Sequence, residues 1–314
     1  NLKWESSYQT NLGLDLSLFD SAVSLSLDYY NIDTKDLIMV DRGLPWYLGF
    51  YNDQILKNVG EINNKGFEIS LNTRNISNDD FSWTTDLVFS KNKNTVETLI
   101  NGDDYFQNGA PSYFSVNNTA LLREGEEVGQ FYGYDYAGVN QGGSFPAGTA
   151  TISGGVAGDP LFLDLDNSGD ITNDDRKIIG NPNPDFTWGI TNTLKYKNFD
   201  FNIVLQGSQG GEIFNMTDVQ LNNGDANTTY GYYNNAWSST NTNADQPRVG
   251  NNSFREISSR FVEDGSYVRL KNIAVGYTFP LETIEKLGIE NLRFTLSAEN
   301  LLTFTNYSGL DPEV

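Results

Sequence analysis

Tyr8-Gln9-Thr10-Asn11-Leu12-Gly13-Leu14-Asp15-Leu16-Ser17-Leu18, followed by Phe19-Asp20-Ser21-Ala22 and Val23-Ser24-Leu25-Ser26-Leu27-Asp28-Tyr29-Tyr30, is the stretch that decides the fold. Tyr8, Thr10, Leu12, Leu14, Leu16 and Leu18 occupy the even positions; Gln9, Asn11, Gly13, Asp15 and Ser17 occupy the odd ones. A period of two places the two sets on opposite faces of a β-strand. At about ten residues the run exceeds the usual soluble strand and matches a tilted crossing of a bilayer. After a short turn at Phe19–Ala22 the alternation resumes, with Val23, Leu25, Leu27 and Tyr29 against Ser24, Ser26, Asp28 and Tyr30.

Three further hairpins follow the same rule. Phe67, Ile69 and Leu71 answer Phe81, Trp83, Thr85, Leu87 and Phe89 around Ile76–Asp80. Phe186, Trp188, Ile190, Leu194 and Tyr196 answer Phe199, Phe201, Ile203 and Leu205 around Lys197-Asn198. Ile273, Val275, Tyr277 and Phe279 answer Leu292, Phe294, Leu296 and Ala298. The connector of this last hairpin, with Leu281, Ile284 and Leu287 at spacing three and Gly288 as a cap, reads as the one helical piece. Leu14, Leu25, Ile69, Leu87, Ile203 and Phe294 are expected on one face; Asp15, Ser26, Ser70 and Asn202 are expected on the other.

The connections are asymmetric. Turns within hairpins are short, whereas 31–65, 92–183 and 207–265 read as long polar loops rich in Asn, Asp, Gly, Thr and Tyr. Long loops at one end and short turns at the other describe an outer-membrane barrel better than a soluble sandwich. Aromatic residues at both strand ends fit two interfacial belts. A soluble β-sandwich or solenoid shows alternation too, with its apolar face as a core, and stays open at this point.

Composition narrows the chemistry. In 314 residues there are 20 Lys+Arg against 41 Asp+Glu, a net charge of −21, so the basic footprint of nucleic-acid binding is absent. With no Cys and no His, disulfides, thiol nucleophiles, structural zinc sites and imidazole catalysis are excluded. No apolar run reaches the length of a membrane helix, and the opening carries no signal-peptide pattern, which reads as a mature or internal piece. Acidic pairs abound by composition, but none stands in a recognisable glycosidase context, and the glycines at 207, 210 and 211 open no phosphate-binding helix. The chain is not expected to be an enzyme.

One segment carries a ligand pattern. Asp164-Leu165-Asp166-Asn167-Ser168-Gly169-Asp170-Ile171-Thr172-Asn173-Asp174-Asp175 fits a twelve-residue calcium loop. Asp164, Asp166 and Ser168 take positions one, three and five, and Gly169 takes the sharp turn at six. The Asp170 carbonyl serves at seven, Thr172 through water at nine, and Asp175 closes the loop at twelve. Asp in place of Glu at twelve is the departure, as in dockerin-type loops. Ile171 is expected to tuck into a local core. A metal-free Asx-turn loop is the alternative. Two aromatic runs, Gln130–Tyr136 and Tyr230–Trp237, suit stacking on sugars or peptides, or packing of loop on loop.

Several phrases combine into a family resemblance. They are Asn1-Leu2-Lys3-Trp4-Glu5, Asp28-Tyr29-Tyr30 with Thr34-Lys35-Asp36-Leu37, and Asn58-Val59-Gly60-Glu61-Ile62-Asn63-Asn64-Lys65-Gly66-Phe67-Glu68. Later come Gly125-Glu126-Glu127-Val128-Gly129-Gln130-Phe131-Tyr132-Gly133-Tyr134, Val262–Ile273, Glu299-Asn300-Leu301-Leu302-Thr303 and Tyr307-Ser308-Gly309-Leu310-Asp311-Pro312-Glu313. In this order, over the whole chain, they resemble the C-terminal part of SusC/RagA-family TonB-dependent outer-membrane transporters of the Bacteroidetes. The resemblance implies an all-β, antiparallel transmembrane barrel of the 22-stranded type, of which 1–314 supplies about eight strands, with plug and N-terminal regions absent. It implies import of glycans or peptides across the bacterial outer membrane, driven through the TonB complex, with a SusD-like surface lipoprotein as lid and outer-membrane lipid around the barrel. The rivals are a secreted calcium-binding carbohydrate-binding or adhesive β-protein and a glycoside-hydrolase β-domain.

Overall fold

The computed structural model describes residues 2–41, 55–107, 119–152, 154–224, 227–250 and 254–313. Two compact units form. One comprises Asn1–Ile100, Asn183–Gly211 and Gly265–Asn306; the other comprises Asn101–Pro182, Glu212–Asp264 and Tyr307–Val314.

The first unit is a sheet of eight strands: β1 (Ser6–Leu18), β2 (Val23–Asp41), β3 (Ile55–Ser77), β4 (Phe81–Thr98), β5 (Phe186–Tyr196), β6 (Phe199–Gln209), β7 (Tyr267–Thr278) and β8 (Arg293–Thr305). They lie side by side in chain order, every neighbour antiparallel. Directly opposed residues share a face, so the pairing converts the alternation of each strand into rows. Leu16, Leu25, Leu71, Leu87, Ile190, Leu205, Leu270 and Leu302 stand opposite one another across all eight strands. One residue along, the row is Asp15, Ser26, Ser70, Val88, Gly189, Gln206, Arg269 and Thr303. The expected faces are the observed ones.

Aromatic rows bound the apolar face. At the short-turn end Phe81, Tyr196, Phe199, Tyr277 and Phe294 are successive partners, and Phe199 and Tyr277 lie 4.5 Å apart. Toward the other end Phe67, Phe89 and Phe186 stack at 5.6 and 5.3 Å. Phe186 and Tyr196 are ten steps apart on β5, roughly 33 Å of strand. At a tilt of about 40° that is about 25 Å of height, the apolar band of a membrane barrel. On the apolar face the Asn192 carboxamide oxygen accepts from the Trp83 indole at 2.9 Å and the Thr85 hydroxyl at 2.8 Å, which satisfies this polar group.

The loop expected at 31–65 is mostly strand. β2 continues to Asp41 and β3 begins at Ile55; residues 42–54 lie outside the described residues. The reason is chemical. Around Asn31–Asp36 and Glu61–Lys65 polar residues stand on both faces, with Ile32 and Ile62 the exceptions, so the period of two vanishes while backbone pairing continues. A bulge with Asp36 at φ 57° accommodates the change. Likewise 92–183 and 207–265 hold strands of their own, with 108–118, 153, 225–226 and 251–253 outside the described residues.

The second unit is assembled from those connections. The strands Arg176–Gly180, Gln130–Tyr134, Ala120–Leu122 and Tyr105–Gln107 form one sheet; Tyr136–Val139, Pro160–Leu163 and Thr149–Ala150 form another. Val219, Ile257 and Phe261 make one small core, and Ala150, Phe162 and Ile171 make a second. Helices at Met216–Leu221 and Tyr230–Asn235 correct the expectation of a single helical piece. Each is only six residues long, too short for an apolar period to show in sequence, although Met216 and Val219 of the first reach one small core. Capping by Asn215 and Thr229 side chains, which accept from the Asp218 and Tyr232 amides, starts them instead. The expected helical turn at Leu281–Ile284 is present, and a 3-10 turn then ends on Gly288 at φ 69°.

Candidate functional site

The acidic loop follows the strand Pro160–Leu163 and leads into Arg176–Gly180. Asn167 at φ 58° and Gly169 at φ 91° reverse the chain. A Cβ at Gly169 would meet open space, so backbone conformation, not crowding, calls for glycine there. The Asp164 carboxylate accepts from the Ser168 and Gly169 amides at 3.0 and 2.9 Å, and Asp166 accepts from the Ser168 amide at 2.9 Å. Ser168, through its hydroxyl and amide, holds the Asp166 carboxyl below its ordinary range.

Asp175 is fully buried, and its oxygens accept from the Leu165 amide at 2.8 Å and the Thr172 amide at 2.7 Å. With Thr172 it forms the capping box of the 3-10 turn Asn173–Asp175. Ile171 is buried against Ala150 and Phe162, which anchors the middle of the loop.

One carboxylate oxygen each from Asp164, Asp166 and Asp175 lies within 4.8 Å of the other two. Calcium bonds oxygen at 2.3–2.6 Å, so ligands across the ion stand roughly 5 Å apart and three such oxygens fit one ion. Ser168 donates its hydroxyl to the Asp170 carbonyl at 2.8 Å, which brings the oxygens of positions five and seven together. The Asp170 carboxylate is not one of the converging three. The Thr172 hydroxyl accepts from the Asp174 amide at 3.2 Å, a capping role.

The polar face of the sheet holds the second candidate surface. Two open cavities, of about 490 and 570 Å³, lie along it, and Asp28 and Glu68 line both. Asp28 and Glu68 are direct partners. The Ser26 hydroxyl donates to Asp15 at 2.7 Å and lies 3.3 Å from Asp28. Gly66 lets the Tyr30 ring lie across β3, where its hydroxyl donates to Asn92 at 3.1 Å. A Cβ at Gly66 would stand 2.6 Å from that hydroxyl and closer still to the Lys91 carbonyl.

The aromatic runs divide. Tyr134 and Tyr136 pack on Phe162 at 5.4 and 6.3 Å, and burial pushes the Tyr136 hydroxyl up to about 12. Tyr232 is buried with the Arg260 guanidinium 5.4 Å from its ring centre, whereas Tyr230 and Tyr233 are exposed.

An eight-stranded antiparallel sheet with one lipid-compatible face and one polar face is a section of an outer-membrane barrel, and comparison with known proteins agrees. Residues 1–301 match the family described as TonB dependent receptor-like, beta-barrel, and the chain belongs to that family of outer-membrane proteins. It is 53% identical to TonB-dependent receptor P3 of Formosa agariphila over all of this chain and 31% of the relative. It is 29% identical to TonB-dependent receptor SusC of Bacteroides thetaiotaomicron, over all of this chain and 30% of that one. Among solved structures it resembles the RagAB peptide transporter, with a TM-score of 0.77 and 25% identity over 99% of this chain and 33% of that one. The chain therefore spans about a third of the length of the relatives it matches.

Proposed function

We propose that this chain is the C-terminal portion of the barrel of a SusC-like importer, which passes glycans or peptides through a lumen lined by the Asp15–Thr303 row and its neighbours. The observation that carries this is the separation of a mainly apolar from a mainly polar face across eight strands, with open cavities on the polar side. The activity is passage and gating, without covalent chemistry on the solute. TonB acts through the remainder of the protein, and a SusD-like lipoprotein meets the long connections. The names of SusC and of the RagAB peptide transporter support this reading. Deletion of the full-length gene, followed by uptake assays with fluorescent oligosaccharides and with peptides, tests it. Loss of uptake of one class, with co-purification of a surface lipoprotein, is expected; unimpaired uptake of both overturns it.

The acidic loop is a structural calcium site within this reading. Asp164, Asp166 and Asp175 supply carboxylates, Ser168 and Asp170 supply a hydroxyl and a carbonyl, and Thr172 reaches the ion through water. The convergence of the three carboxylates supports it, because like charges so close repel without a cation. Calorimetric titration of the metal-stripped full-length protein with Ca2+ tests it. No heat from the wild type, or equal heats from wild type and Asp164→Ala, overturns it.

A further inference from the structure

Gln130, Tyr132 and Tyr134 alternate onto one face of the strand Gln130–Tyr134, while Phe131 turns to the other and meets Phe214 at 5.8 Å. Arg176 stands directly opposite Tyr134 on the neighbouring strand, so it shares the tyrosine face. Its guanidinium lies 5.8 Å from the Tyr132 ring centre and 5.3 Å from the Tyr134 ring centre, within cation–π range of both. On the other side of the strand, fully buried Leu121 stands opposite Gln130.

Two groups on this face lack a partner. Gln130 is 8% exposed, and its Oε1 is enclosed with no donor. Arg176 is half-buried, and its Nε is enclosed with no acceptor. Among the described residues no carboxylate pairs with Arg176, although the cations around it are paired. Arg123, also against the Tyr132 ring at 5.5 Å, is held by Asp104 through two hydrogen bonds of 2.9 and 2.6 Å, and Lys177 meets Asp135 at 2.5 Å. Asp175, next to Arg176 in the chain, accepts from the Leu165 and Thr172 amides. With 41 acidic against 20 basic side chains, an unanswered guanidinium is not the background of composition. Enclosed donors and acceptors are ordinarily satisfied. An unmet donor and an unmet acceptor that flank Tyr132 in register fit a molecule carrying both an anion and a donor.

We propose that Arg176 and Gln130 form a binding site for a carboxylate-bearing solute. The Nε edge of the guanidinium takes the two carboxylate oxygens as a fork. The Gln130 carboxamide oxygen accepts from a hydroxyl or amide of the same molecule, and the Tyr132 ring lies between the two. A bare inorganic anion such as sulfate fits less well, because it offers Gln130 no donor. The site rests on the import reading and gives it a chemical class: acidic solutes, whether uronate sugars or acidic peptides.

Calorimetric titration of the full-length receptor in detergent, with two matched pairs of probes, tests this. One pair is trigalacturonate and its methyl ester; the other is triglutamate and triglutamine, both acetylated and amidated at their ends. In at least one pair the acid is expected to bind roughly 10- to 100-fold tighter than its neutral partner, the worth of hydrogen bonds to a charged group, and the pair that shows it identifies the source. Arg176→Gln is expected to abolish that preference. Gln130→Met, similar in size, is expected to weaken acid and neutral forms alike and to keep the preference. Protection of the 130–134 amides against hydrogen exchange verifies that each variant keeps its sheet. No preference in either pair, a preference undiminished in folded Arg176→Gln, or unaltered affinities in folded Gln130→Met would each overturn the proposal. The import reading is judged separately by uptake in the gene deletion, so uptake without a carboxylate preference overturns this site alone.

Discussion

Leu87→Arg and Asp86→Arg place the same cation on neighbouring positions of β4 that face opposite ways. Leu87 is six steps from Phe81 in the short-turn belt and four steps from Lys91 at the other. That is roughly 20 and 13 Å of strand, or about 15 and 10 Å of height at a 40° tilt, so the side chain sits close to the middle of a band about 25 Å tall. An arginine at the midplane of the lipid face costs about 2–4 kcal/mol, roughly 30- to 700-fold in the folded-to-unfolded ratio. Asp86 faces the polar side, where it accepts from the Asn72 carboxamide. Its replacement forfeits a hydrogen bond worth about 1 kcal/mol and gives a cation to an acidic wall. Guanidinium titration of the full-length receptor folded into lipid vesicles, with gel mobility as the fold readout, measures both. Losses of equal size, or a larger loss at 86, would refute the assignment of faces.

Gly66→Ala drives a methyl group against Tyr30 and the Lys91 carbonyl, and the same titration should register a destabilisation of about 1–3 kcal/mol. Removal of Ca2+ with a chelator, or Asp175→Ala, should speed proteolysis within 159–182 while leaving barrel mobility on gels unchanged; cleavage insensitive to both would count against the metal. Burial raises the Glu256 carboxyl, with Asp159 adding to the shift and Arg260 opposing it. A raised folded value means the folded state holds its proton more tightly, so this group's contribution is complete below the ordinary carboxylate range and is lost as pH climbs through the raised one. Glu256→Gln should therefore gain in thermal midpoint over the wild type at pH 8 relative to pH 5; a gain independent of pH would assign the effect to something other than titration.

The sheet was legible in the sequence where water meets one face and lipid the other, because only there does the chemistry alternate. Leu14 against Asp15, or Ile69 against Ser70, announces its own orientation. The outer halves of β2 and β3 were not legible: Asn31, Asp33, Asn63 and Lys65 stand in strands whose surroundings no longer select by polarity. The acidic loop could be located by the spacing of Asp164, Asp166 and Gly169, yet nothing local announced that Asp175 would be buried and bonded to the Leu165 amide. The small strands of the second unit are not legible because runs of two to five residues are too short to show a period, and some of their bonds reach far along the chain. The Tyr134 amide, for example, donates to the Ile257 carbonyl at 2.8 Å.

The insertion of a second unit between barrel strands bears on the order of folding. The turn at 78–80 closes β3 on β4 cheaply, whereas the connection 99–185 is about thirtyfold longer and costs about 3 kcal/mol more to close as a flexible loop. The second unit removes much of that penalty by folding. The Glu212 amide donates to the Asn181 carbonyl at 2.8 Å, the Asn181 amide donates to the Glu212 carboxylate at 2.7 Å, and Glu212–Phe214 pairs with Val262–Asp264. The chain leaving one connection is thereby stitched to both ends of the next. Once those bonds exist, the starts of β5 and β7 and the end of β6 are held near one another, and hairpins that would search as separate objects zip as neighbours.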